Sequence, residues 1–226
     1  MNRSWSLSSN NCLTRINRAL RSRSTRYAAL LLAILVPSWI IGDALAFPAA
    51  ADLNRANPAR VNALVSDWQR GDVIVLVRHL ERCSRVDAPC LSGRAGITAR
   101  STAIGEHMGQ EFRELGLANA DIYNSPLKRT AQTAQVMFQR PTVKEDWLYQ
   151  CDATFMSQAL QRKAPGRNLI LVTHSSCMDE FEASLGLSES DLDYGGALFI
   201  STSEDKQSSK VLGFIDADDW DDVFGA

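Results

Sequence analysis

The feature that most constrains this chain is the stretch 73–82, VIVLVRHLER, in which five consecutive aliphatic residues break into Arg78, His79, Glu81 and Arg82. An unbroken aliphatic run behind a Gly71-Asp72 turn predicts a strand buried on both faces, the kind found in parallel sheets covered by helices. The charged residues then stand at its carboxyl end. Open parallel sheets bind ligands there, because the loops leaving the strands converge on one edge. A histidine held beside an arginine at such an edge can attack phosphorus while the guanidinium neutralises phosphate oxygens. The same residues also fit an ion cluster that merely caps a strand.

Residues 168–173, NLILVT, repeat the buried-strand pattern and deliver His174 at their carboxyl end, so two of the chain's three histidines occupy equivalent places. Between them, ADIYN (120–124) predicts a short strand, and Ser125-Pro126 supplies an N-cap and first residue for a helix running through Phe138. Lys128 and Arg129 then fall in its first turn. Backbone amides and the helix dipole favour an anion at that point, and an arginine adds a bidentate clamp. A lone histidine at a strand end reads as structural; two of them with an arginine-bearing helix start point to a site.

The remaining elements follow from periodicity and capping. Asn57-Pro58 opens a helix with Val61, Leu64, Val65 and Trp68 on one face, and Thr98 is expected to cap a second with Ile104, Met108, Phe112 and Leu115 on its buried stripe. His107 lies off that stripe and reads as a surface histidine. Residues 83–96 carry Pro89, Gly93 and Gly96 without periodicity, a loop whose length suggests function. Helices are expected over 153–163 and 177–185, and closing strands over 197–202 and 210–216. The acidic run Asp216 to Asp222 reads as a solvated end.

Charge is unevenly distributed. Residues 1–46 hold six arginines and one acid, Asp43, whereas residues 47–226 hold 18 basic and 25 acidic side chains. An acidic body argues against nucleic-acid binding. Arg15, Arg18, Arg21, Arg23 and Arg26 precede an uncharged run from Tyr27 to Gly42 that ends in Ala44-Leu45-Ala46, the pattern of a secretory signal with cleavage after Ala46. The run is short for a membrane span and is interrupted by Pro37, yet its long polar preface keeps an uncleaved inner-membrane anchor open. Either way the organisation expected is a leader over 1–46 and one domain over 47–226, on the far side of a membrane. Cys83, Cys90, Cys151 and Cys177 form an even set that suits an oxidising compartment and allows three pairings. The preferred arrangement joins Cys83 to Cys90, stiffening the segment after the strand, and Cys151 to Cys177. His174 and Cys177 lack a second ligand pair at zinc spacing, so no metal is assigned.

In order along the chain, VLVRHLER, GITARSTAIGEHMG, IYNSPLKRTAQTA and LILVTHSSC resemble the motifs of the histidine phosphatase superfamily, the group that includes the phosphoglycerate mutases. The resemblance spans about residues 73–180. It implies a three-layer α/β/α sandwich with a mostly parallel central sheet. It also implies that His79 is the phosphorylated nucleophile and that Arg78, Arg129 and His174 complete the phosphate pocket, His174 being protonated. Arg82 is assigned to substrate binding. No cofactor is implied, since the arginines supply the positive charge.

Departures are informative too. Leu80 stands where the family usually has glycine, Ser101 replaces a common glycine, and Gln150 falls about where many members place a proton-donating glutamate. The leaving-group acid is left between Glu81 and Asp152, with Glu81 the better placed. The leader, RHxERC with a second cysteine seven residues on, a Gln-Cys pair, KAP before a strand and THxxC resemble the exported lipopolysaccharide core heptose(II)-phosphate phosphatases. The partner this implies is a small-molecule or glycolipid phosphomonoester close to a membrane, in the periplasm; oligomeric state is left open. Two other functions fit the same residues: a catalytically silent module that binds phosphorylated ligands, and a phosphotransferase or mutase.

Overall fold

The computed structural model describes residues 47–202 and 209–225; the leader expected over 1–46 lies outside them. Helix α1 (Pro58–Arg70) begins as expected, with Asn57 Oδ1 accepting from the Ala59 amide at 2.9 Å and Pro58 in the first turn. It stops at Gly71, whose φ of 76° is left-handed. A side chain there would strike the Gly166 backbone, 2.2 Å from an ideal Cβ. The turn therefore needs glycine twice over, for its conformation and for its space.

Strand β1 (Val73–Arg78) is buried on both faces as its composition demands. Val73, Val75 and Val77 enter one core with Leu64, Trp68, Phe112 and Trp220, while Ile74 and Leu76 enter another with Trp147, Phe155 and Phe181. Two cores on one strand make the architecture three-layered. The other elements are α2 (Thr102–Leu115), β2 (Ala120–Asn124), α3 (Lys128–Phe138), β3 (Val143–Lys144), α4 (Trp147–Gln150), α5 (Phe155–Arg162), β4 (Asn168–Thr173), α6 (Ser175–Ser184), β5 (Ala197–Thr202), β6 (Ser209–Ile215) and α7 (Trp220–Phe224). The sheet order is β3-β2-β4-β1-β5-β6, parallel from β3 to β1 and antiparallel across β5 and β6. The α/β/α sandwich with a mostly parallel sheet is thus present. Among the described residues no helix is long and apolar enough to cross a membrane.

Register places the site. Arg78 pairs with Thr173 across β1 and β4, and Asn124 with Val172 across β2 and β4. The next residues, His79, His174 and Ser125, consequently leave three adjacent strands at one edge.

Several local expectations fail for reasons visible in the packing. Thr98 does not cap α2, because its hydroxyl donates to Glu81 Oε2 at 2.8 Å; the helix starts at Thr102. Its packed face is rotated from the expected stripe. Gly109, where a Cβ would lie 1.9 Å from the Met137 carbonyl oxygen, lets α3 press close, and Ile104 is left exposed. Ser125 serves α3 only weakly, its oxygen being engaged elsewhere, and the helix begins at Lys128. The acidic end is not merely solvated: α7 buries Trp220 completely and Val223 nearly so. Strand β3 and helix α4, two and four residues long, were below what periodicity detects.

Candidate active site

A cleft of about 490 Å³ opens at the carboxyl edge of β1 and β4, lined by Arg78, His79, Arg82, Arg129 and His174, with Tyr149, Tyr194 and Arg85 at its sides. The imidazoles of His79 and His174 meet edge to face, 5.3 Å between centroids. Arg129 bridges them. Its Nε donates to His79 Nε2 at 3.0 Å and its Nη2 donates to His174 Nδ1 at 3.2 Å.

These contacts determine both tautomers, because a guanidinium and a carbonyl each play only one role. His79 Nδ1 lies 2.8 Å from the Leu80 carbonyl oxygen and must donate to it, so Nε2 carries the lone pair. His174 accepts at Nδ1 and therefore donates from Nε2 to Ser125 Oγ, 2.8 Å away. Ser125 is held in turn by Thr130 Oγ1 at 3.0 Å, and Thr133 Oγ1 accepts from the Leu80 amide at 3.0 Å, fastening the turn after His79 to α3. Leu80, which stands where the resemblance leads one to look for glycine, is buried in the core over Gly105.

Both rings are neutral. Burial, opposed by the Leu80 carbonyl and reinforced by Arg129, Arg78 and Arg82, pushes the His79 pKa down to about 4. Burial first, then Arg129, His79 and Arg82, brings His174 down to about 3. A protonated His174, expected from sequence, is therefore corrected for the free protein: a cation there would face two guanidiniums without a counter-charge.

The positive charge of the cleft has no partner of opposite sign. Among the described residues no carboxylate pairs with Arg78, Arg82, Arg85 or Arg129, and none lines the cleft. Arg78 Nη1 donates to the Leu192 carbonyl, and its guanidinium lies 4.5 Å from the Tyr194 ring centroid. The Nε groups of Arg78 and Arg82 are buried without an acceptor. Burial and the nearby Arg82 lower the Arg129 pKa, the mark of like charges held together. An oxyanion is what such a set of donors lacks.

The two carboxylates expected from sequence lie elsewhere. Glu81 takes Arg100 bidentately, at 2.5 and 2.7 Å, as well as Thr98, and these bonds lower its pKa. It faces a neighbouring depression with Ser101 and Ile104. Asp152 caps the turn before α5, accepting from the Thr154 amide and hydroxyl at 2.9 and 2.6 Å, which also lowers its pKa. Beside the basic cleft, sharing Arg78 and Ser175 with it, lies a second cavity of about 420 Å³ lined by Asp179, Glu182, Glu189 and Asp191. Burial, with Glu189 and Glu182, raises the Asp179 pKa to about 6.

Both disulfides join the preferred partners, Cys83 to Cys90 and Cys151 to Cys177. The first closes the loop that carries Arg85 onto the cleft, and the second ties the segment after Tyr149 to α6, which starts directly after His174.

The chain resembles the histidine phosphatases. It is 37% identical over 114 residues to a lipopolysaccharide core heptose(II)-phosphate phosphatase of Escherichia coli O1:K1, a match covering 49% of this chain and 56% of the relative. The protein of the same name from Shigella flexneri serotype 5b is 36% identical over 113 residues, with the same coverage. The chain thus spans little more than half the length of the curated relatives it matches. Its fold superposes on the crystal structure of a provisionally named phosphohistidine phosphatase, SixA, from Agrobacterium tumefaciens, with a TM-score of 0.50, 18% identity, and coverage of 64% of this chain and 97% of that one. No protein-family model matches the chain.

Sequence reasoning missed Ser125, Arg85, Tyr194 and Asp179. Ser125 reads as a helix cap, the commoner duty of a serine before proline. Arg85 belongs to the long loop 83–96, whose length is the available signal. Tyr194 comes through a backbone pairing with no sequence signature: the amides of Gly195 and Arg78 donate to the Arg78 and Gly196 carbonyls at 3.1 and 2.9 Å, laying the ring over Arg78.

Proposed function

We propose that this chain is an exported phosphomonoesterase that works through a phosphohistidine on His79 and acts on phosphorylated heptose of the lipopolysaccharide core. The observation that carries the reading is Arg129 set between two neutral imidazoles in a cleft whose guanidiniums no carboxylate neutralises.

In the first step a phosphoryl group takes the donors that Arg129 now spends on the imidazoles, which frees the His79 Nε2 lone pair. That lone pair forms the N–P bond as the P–O bond to the sugar breaks. Arg78, Arg82 and Arg129 hold the equatorial oxygens as charge spreads over them. With a dianion present the field on His174 reverses, so its Nδ1 gains a proton and donates to an oxygen. On this reading the departing sugar oxygen takes its proton from Asp179, which lines the adjoining cavity that shares Arg78 and Ser175 with the cleft and keeps a proton closer to neutral pH, rather than from Glu81, which is committed to Arg100. Asp179 then accepts a proton from water, whose oxygen attacks phosphorus; the N–P bond breaks and inorganic phosphate leaves.

Export is supported by the leader pattern, by two disulfides and by the relatives' names. On this reading residues 1–46 form a signal peptide or anchor, and the substrate is a membrane-associated glycolipid in the periplasm.

The test is a radiolabelled phosphate ester mixed with the protein and quenched in alkali, where phosphohistidine survives. Label on wild type and none on His79→Ala supports the reading; full turnover by His79→Ala refutes the nucleophile. One observation favours a silent binding module instead, the absence of any carboxylate among the residues lining the cleft. Phosphate binding without label or turnover would decide for it.

A further inference from the structure

We propose that His107, Glu111 and Asp221 form a site for a divalent first-row transition ion, Zn2+ in the first instance, which fastens the carboxyl-terminal helix α7 to α2. His107 and Glu111 are four residues apart on α2 and so project from one face of it. Asp221 comes from the first turn of α7. One ligand atom from each of the three lies within 4.8 Å of the other two. None of the three lines the phosphate cleft, so the site is independent of the reaction proposed above.

The spacing suits a metal. In a tetrahedral zinc site with bonds of about 2.0 Å, neighbouring ligand atoms stand about 3.3 Å apart. His107 Nε2 and Asp221 Oδ1 are 3.2 Å apart already. Glu111 reaches the third vertex by a side-chain rotation, and a water completes the set. Imidazole with two carboxylates is a donor set that zinc accepts.

The second observation is Glu111 itself. It is 93% buried, with a relative exposure of 7%, and no hydrogen bond to its carboxylate is formed among the described residues. A carboxylate on so largely buried a side chain is favoured by a nearby donor or counter-charge. The groups that face it are His107, Asp221 and Glu114, the last engaged by Gln110 Nε2 at 3.1 Å, so the surroundings bring two further acids and no fixed cation. A divalent ion supplies the missing charge and orders three side chains in one step.

What it would hold matters to the fold. Asp221 follows Trp220, which is fully buried and packs at a tilt against Phe112, the residue after Glu111, with 4.8 Å between ring centroids. A five-residue helix has little hold of its own, and a bond at each side of this aromatic contact clamps it.

The experiment uses the full chain, stripped with chelator and titrated with Zn2+ by calorimetry, with thermal unfolding followed by tryptophan fluorescence. Wild type is expected to bind Zn2+ and to melt at higher temperature with it. His107→Ala and Asp221→Asn, both changed at the surface, are expected to weaken that binding beyond the roughly 100-fold that loss of an outer partner can cost, and to lose the thermal gain. Glu111→Gln is expected to do the same where it folds. Turnover of an aryl phosphate by His107→Ala stays at the wild-type level. Equal Zn2+ binding by wild type, His107→Ala and Asp221→Asn, or no binding by wild type, overturns the proposal.

Discussion

Two cavities meet at Arg78 and Ser175, and they are electrostatic opposites. One gathers four arginines around two histidines; the other gathers Asp179, Glu182, Glu189 and Asp191. In both, burial and like charge drive a titratable group toward its neutral form. His79 falls to about 4 and Asp179 rises to about 6, which inverts the order the two side chains have in water. Between those values the imidazole is a free base while the carboxylic acid keeps its proton. On the reading proposed above, a nucleophile and an acid would then be available together in far larger proportion than ordinary histidine and aspartate offer at one pH.

The contrast can be broken at either end. The largest effect is expected from His79→Ala, which should lower turnover of an aryl phosphate by roughly 10⁴-fold or more while the far-ultraviolet dichroism stays native. Arg129→Ala removes charge stabilisation and the bridge between the rings, and should cost about 10²–10³-fold in kcat. Asp179→Asn should cost about 10²-fold with an alkyl phosphate and little with an aryl one, whose leaving group needs no proton. Glu81→Gln should leave that ratio unchanged; a larger loss there than at Asp179 would return the acid role to Glu81.

The pH profile sharpens the comparison. For an alkyl phosphate, kcat/KM should rise through about pH 4 as His79 deprotonates and fall through about pH 6 as Asp179 does, giving a bell centred near about pH 5. Stability moves differently. Histidines with depressed folded pKa values contribute nothing unfavourable above about 6.5, and cost stability as pH falls from there toward 4, because the unfolded chain binds protons the folded one refuses. Thermal midpoints measured from pH 7 to pH 4 should decline, and less so in His174→Gln.

The parts of the fold carried by composition were legible early. β1 and β4 read as buried strands because each has an unbroken aliphatic run, Val73–Val77 and Leu169–Val172, and their registers then put His79, His174 and the start of α3 at one edge. Arg129 was found through the same logic. What escaped depends on tertiary partners. Thr98 and Ser125 looked like caps, yet each hydroxyl has a distant and stronger claim, from Glu81 and His174. The acidic end looked solvated because five aspartates outnumber the two residues, Trp220 and Val223, that anchor it. Asp179 carries no local mark, since its pKa is raised first by burial and then by Glu189, which lies beyond its own helix, and Glu182.

The Cys83–Cys90 bond has a consequence for timing. It braces the loop that offers Arg82 and Arg85 to the cleft, whereas His79 is held by the sheet and needs no cross-link. On the reading proposed above, a chain kept where thiols stay reduced would hold His79 behind a slacker rim and grip a phosphate ester less well. If the protein is exported as proposed, that rim would be braced only after the chain reaches an oxidising compartment.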